Sequence, residues 1–160
     1  MKVVVFILFI ILNLHAHPHF FVDASIDIQK EKISHKWLFD RINSRLLVFE
    51  FDKNRNKTFE KNEQLVFIET HFEKLKNDNY NLFMEIDGHE LVADPINIKV
   101  KIIKKRVELS FDLVFKINKG GVICTIDPTL YFAYKLKDVN SIYKNEIQKS
   151  EHDYCLGVTK

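Results

Sequence analysis

From Phe20 to Ile28 apolar and polar side chains alternate without a break. Phe20, Val22, Ala24, Ile26 and Ile28 fall on one face; Phe21, Asp23, Ser25 and Asp27 fall on the other. This strict period of two predicts a strand with one face buried. A second alternating stretch follows, with Ile33, His35, Trp37 and Phe39 on one face. Only Lys30-Glu31-Lys32 separates the two, so they read as a hairpin or meander.

The period changes after Asp40. Ile42, Leu46 and Phe49 recur at helical spacing, flanked by Leu47 and Phe51. A polar loop runs from Asp52 to Glu63. Leu65, Ile68, Phe72 and Leu75 then mark a second helix, ending near Asn77-Asp78-Asn79. Strands return in Leu82–Ile86 and His89–Val92, joined by the tight-turn pair Asp87-Gly88. Ile96–Ile102 and Val107–Phe115 form another hairpin around Lys104-Lys105-Arg106. Gly120-Gly121 opens a strand that ends at Asp127-Pro128, and Leu130–Leu136 is aromatic and strand-like. The tail from Asn145 to Val158 adds one edge strand carrying Cys155. The fold class is α+β: a mostly antiparallel β-sheet with an inserted helix-loop-helix (EF-hand-like) pair.

The first residues set the compartment. Met1-Lys2 is followed by an apolar run from Val3 to Leu12, then Leu14-His15-Ala16 as a cleavage site. This reads as a cleavable signal peptide over 1–16, leaving a single domain over 17–160. The implied location is periplasmic. Cys124 and Cys155 fit an oxidising compartment as one disulfide; the alternative is a pair of thiolate ligands, without the close spacing of a zinc knuckle. With 46% apolar and 29% charged residues and a net charge of +2, the 160-residue chain has one domain's core. It has no strong pull toward nucleic acid.

Two segments carry candidate ligands. A twelve-residue calcium loop needs oxygens at positions one, three, five, seven, nine and twelve. Here those are Asp52, Asn54, Asn56, Thr58, Glu60 and Glu63. Lys57 stands where the loop wants glycine for a positive φ, which costs about 1 kcal/mol or more. Lys53, Arg55, Lys57 and Lys61 outnumber the acids, so calcium binding is expected to be weak, about 10⁻⁴–10⁻³ M.

The second segment is His17-Pro18-His19. Strand parity puts His17, His19 and Asp23 on one side of the first strand. Residues two apart lie about 6.6 Å from each other along a strand, so long side chains there can converge on one ion. Cleavage after Ala16 gives His17 a free amine beside its imidazole, a pair that grips zinc, nickel, cobalt or copper. Pro18 has no amide hydrogen, which disfavours copper binding through successive amides. Asp23 is a third ligand or orients a histidine. Asp127 and His35 are further candidate partners. His35 on its apolar face also reads as a core histidine, His71 as packing, His89 as a turn residue and His152 as part of a polar tail. No phosphate loop, Gly-x-Ser-x-Gly elbow or His-Glu-x-x-His helix is present, so neither a nucleotide partner nor enzymatic activity is expected.

In their order, these features resemble the ZevA-like family of small periplasmic proteins, a domain of unknown function encoded beside nickel/cobalt-type transporters. The resemblance rests on the export signal, His17-Pro18-His19 with Phe21-Val22-Asp23, and Trp37-x-Phe39-Asp40. It continues through the loop 52–63 and through Asp127-Pro128 before Tyr131-Phe132. It implies a periplasmic accessory that binds zinc, nickel or cobalt and works with a membrane metal transporter. The alternative is a non-enzymatic interaction module docking on such a transporter, with the calcium-type loop serving stability only. A copper-dependent oxidative enzyme built on an N-terminal histidine is a third, minor reading.

Overall fold

The computed structural model describes residues 19–160. The leader assigned to 1–16, together with His17 and Pro18, lies outside them. Among these described residues, ten strands and a helical pair make an α+β fold, as the patterning predicts. The first two strands, β1 (Phe20–Ile28) and β2 (Lys32–Phe39), pair antiparallel, with Ala24 opposite Trp37 and Ile26 opposite His35. Two helices follow, α1 (Arg41–Phe51) and α2 (Lys61–Phe67). The remaining strands are β3 (Leu82–Ile86), β4 (His89–Glu90), β5 (Ile96–Ile103), β6 (Arg106–Val114), β7 (Gly120–Thr125), β8 (Phe132–Ser141), β9 (Lys144–Lys149) and β10 (Tyr154–Thr159).

These strands form two five-stranded sheets rather than one, ordered β5-β6-β2-β1-β8 and β4-β3-β7-β10-β9. One continuous apolar cluster joins their inner faces: Val22, Trp37, Leu109 and Tyr134 from the first, Met84, Ile123 and Leu156 from the second. The side chain of Asn81 ties the two by donating to the Tyr134 hydroxyl at 2.9 Å. Pairing is antiparallel except between β1 and β8, which run parallel. Their register slips between Ala24 and Ser25, leaving Lys137 as the extra residue on β8.

The tail departs from expectation. It supplies two strands, and β10 with Cys155 lies inside its sheet between β7 and β9 rather than at the edge. Burial explains this: Tyr154, Leu156 and Val158 alternate inward, which an edge position would not need. Cys155 faces Cys124 across the β7–β10 ladder, and the two form a disulfide.

The helices also turn unexpected faces to the core. On α1 the buried residues are Ser44, Leu47 and Phe51. On α2 it is Phe67, while Leu65 is exposed. The helix then widens into a π-type turn over Ile68–Phe72, so Phe67 and Phe72, five apart, both reach the core. Beyond it a tight helical run, Glu73–Asn81, ends in three left-handed residues, Asn79, Tyr80 and Asn81. The Ser44 hydroxyl locks α1 onto the sheet. It donates to the Phe39 carbonyl at 3.1 Å and accepts from the Val107 N–H at 2.9 Å. No helix of the described residues is long and apolar enough to cross a membrane.

Candidate functional site

His19 stands exposed at the entry to β1, at the end of the sheet where α1 begins. Its ring packs on Tyr131 with centroids 4.9 Å apart. The N–H groups of His19 and Phe20 both donate to the Tyr131 carbonyl, at 2.9 and 3.0 Å. The Asn43 amide donates to the His19 carbonyl at 2.9 Å and also to the Asp40 carboxylate. Asp40 in turn caps α1, accepting from the N–H groups of Ile42 and Asn43. Burial pushes the Asp40 carboxyl up, but the hydrogen bonds from Asn43 and Ile42 outweigh it and hold it below its ordinary value. The backbone on which His19 sits is therefore fixed from both sides, while its ring remains open to solvent.

The loop that supplies Tyr131 is organised by Asp127. The buried carboxylate accepts from the Thr129 N–H and hydroxyl at 2.8 and 2.7 Å, and from the Phe132 N–H at 2.7 Å. Asp127 thus reaches this end of the molecule by shaping the turn beneath His19, with both of its oxygens engaged there.

Asp23 lies further along the same strand face. One oxygen is 2.9 Å from the Arg106 guanidinium and the other 3.3 Å from the Lys137 ammonium. Sequence reading did not single out either cation. Arg106 opens β6 just after a basic turn, and Lys137 is the extra residue where β8 slips register beside β1. Among the described residues no group of three or more His, Cys, Asp or Glu side chains is placed to share one metal ion. A set completed by His17 falls outside those residues.

His35 is fully buried and stacks on Phe111 with centroids 4.9 Å apart. Neither ring nitrogen has a hydrogen-bond partner among the described residues. Desolvation pushes its pKa down to about 3, against the pull of Asp112, so the ring is neutral. It is remote from His19 in the strand register, paired with Ile26 rather than with the start of β1. His71 packs edge-on against Phe51 and Phe67, and burial lowers its pKa as well.

The loop 52–63 joins the two helices and is closed by hydrogen bonds onto its own carboxylates and amides. Asp52 is buried and accepts from the N–H groups of Asn56 and Lys57 at 3.0 and 2.9 Å. Lys57 has a φ of 64°, the left-handed turn that glycine ordinarily supplies there. The side-chain amides of Asn54 and Asn56 converge on one oxygen of Glu60, each at 3.0 Å. Thr58 donates its N–H and its hydroxyl to the Asn56 amide oxygen. Glu63 accepts from the N–H groups of Lys53 and Glu60 at 2.8 and 2.9 Å. The Asn54 and Asn56 amide oxygens accept from the Asn56 and Thr58 N–H groups, so the loop satisfies its own polar groups.

A family model described as a protein of unknown function (DUF1007) matches residues 2–156. The chain belongs to the DUF1007 family. The match spans the loop 52–63, the β1 entry and Cys155 alike. No curated protein and no solved structure matches this DUF1007 chain.

Proposed function

We propose that the protein is a periplasmic accessory for transition-metal transport or homeostasis, taking up zinc, nickel or cobalt through His17 and His19. The observation that carries this reading is the setting of His19. Its backbone is clamped by Tyr131 and Asn43, while its imidazole stays exposed beside the chain's expected first residue. A borderline-soft ion suits two imidazoles and a terminal amine. Asp23, held by Arg106 and Lys137, fits a supporting role at this strand better than direct ligation. The Cys124–Cys155 disulfide suits an oxidising compartment. The resemblance to ZevA-like proteins supplies the expected partner, a membrane transporter of the nickel/cobalt type.

The test is metal content of the purified protein, its N-terminus defined by mass. One equivalent of zinc, nickel or cobalt, lost in a His17→Ala/His19→Ala variant with unchanged melting, supports the reading. Absence of stoichiometric uptake of any of the three overturns it.

A second reading is an interaction module that docks on the transporter, with the 52–63 loop serving stability alone. It is favoured by one observation: each proposed oxygen ligand of that loop that carries a carboxylate or amide already has a protein partner. On this reading the double histidine variant keeps its biological function.

A further inference from the structure

Helix α1 is apolar on two opposite faces. Ser44, Leu47 and Phe51 point into the core. Ile42, Leu46 and Phe49 point away from it and are 76%, 60% and 80% exposed. Their spacing of four and three residues stacks them in one row along the helix. Single exposed apolar side chains are ordinary, but a row of three large ones on one helix marks an interaction surface.

Charge lies directly beside this row. A cleft of about 770 Å³ is lined by five cations, Arg41, Arg45, Lys57, Lys104 and Lys105, and by no acid. None of the five enters an ion pair among the described residues. Arg41 and Arg45 are one turn apart on α1. Lys57, Lys104 and Lys105 sit at loop and turn tips with φ of 64°, 49° and 65°. The cations thus come from three separate segments that the fold gathers against one flank of the apolar row.

We propose that this face seats the protein on a bilayer surface rich in anionic phospholipids. Ile42, Leu46 and Phe49 would enter the boundary between headgroups and acyl chains, and the cations would meet lipid phosphates around them. Charge complementarity chooses the occupant. An apolar groove on a protein partner would match the row alone, whereas five unpaired cations beside it match a sheet of anions. Asn43 of α1 holds the His19 carbonyl, so docking brings the entry of β1 close to the bilayer surface. The proposal stands independently of the metal reading.

The test is co-sedimentation with vesicles of phosphatidylglycerol and phosphatidylcholine, against vesicles of phosphatidylcholine alone. All variants carry the same mass-defined N-terminus, so any contribution from that end cancels. The protein should sediment with the anionic vesicles at low salt and be released as salt rises. Ile42→Ser/Leu46→Ser/Phe49→Ser should lower binding at least ~tenfold. Arg45→Ser, Lys104→Ser and Lys105→Ser should each lower it roughly fivefold. These side chains are exposed, and an unchanged melting profile verifies folding of each variant. Failure to bind anionic vesicles, equal binding to neutral ones, or binding unaffected by the triple apolar variant overturns the proposal. So does a dimer of the parent protein that dissolves in that variant, since a second copy would then cover the row.

Discussion

Arg106 reaches across β2 to set its guanidinium 2.9 Å from Asp23 on β1. The same side chain donates to the carbonyls of Phe39 and Leu38, at 2.6 and 3.0 Å. Lys137 closes on the other oxygen of Asp23 from β8. Four adjacent strands are thereby pinned at the end of the sheet where α1 starts. Both Arg106 and Asp23 are largely shielded, at 21% and 29% side-chain exposure. Arg106→Ala should therefore lower stability by about 2 kcal/mol, the loss of several charge-assisted hydrogen bonds. Lys137→Ala, at a more exposed position, should cost under about 1 kcal/mol. Denaturant midpoints at a common slope measure both.

His35 makes stability depend on acidity. Its folded pKa of about 3 lies below the unfolded value of 6.5. Between those values the unfolded chain binds a proton that the folded one refuses, so stability falls as pH drops through that window. By linkage the loss at pH 5 is about 2 kcal/mol. His71 acts in the same direction, because burial lowers its pKa too. Asp40 and Asp112, whose pKa values are also lowered, lose their contributions only below the carboxylate range. His35→Phe should flatten the profile between pH 6.5 and 4 relative to the parent protein. A profile as steep in the variant as in the parent would remove His35 as the cause.

Lys57 bears a left-handed backbone at the loop's sixth position. Lys57→Gly should relieve that conformation and raise stability by about 0.5–1 kcal/mol in chelator. It also removes one positive charge from a cation loop. The variant should therefore show a larger rise in melting temperature than the parent when millimolar calcium is added. No shift with calcium in either protein would leave the loop as a purely structural connection.

The Cys124–Cys155 bridge closes a segment with a sequence separation of 31. A Cys124→Ala/Cys155→Ala variant should lose about 3–4 kcal/mol by the loop-closure relation. Thermal unfolding of that variant, against the oxidised parent, gives the value. Because β10 is an inner strand, the loss should appear as one cooperative transition rather than as fraying of the tail.

Period-two alternation exposed most strands, and the β1–β2, β3–β4 and β5–β6 hairpins follow from their turn residues. What could not be read was pairing between segments far apart. Nothing local in Phe132–Ser141 says that it lies parallel to β1. Nothing local in Tyr154–Thr159 says that it lies inside a second sheet. The helix faces misled for a different reason. Ile42, Leu46 and Phe49 make the stronger apolar period, yet the core takes Leu47 and Phe51, on the face where Ser44 bonds Val107 and Phe39. On the second helix the π-type turn breaks the 3.6-residue period on which the reading of Leu65 and Ile68 relied. The place of the loop 52–63 between two helices was legible, since helical periods flank it on both sides. The clamp on His19 by Asn43 and Tyr131 was not, because it joins three segments distant in sequence.

The parallel seam between β1 and β8 has a consequence for synthesis. Ser25 and Asp138, neighbours across that seam, are separated by 113 residues of chain. The earliest strand to emerge must therefore wait, with one edge bare, until nearly the whole polypeptide has followed it. Closure of this seam is a late, high-contact-order event, and it should dominate the folding time. A nascent chain stalled before Phe132 would present an open β edge, the form most prone to pair with a neighbour.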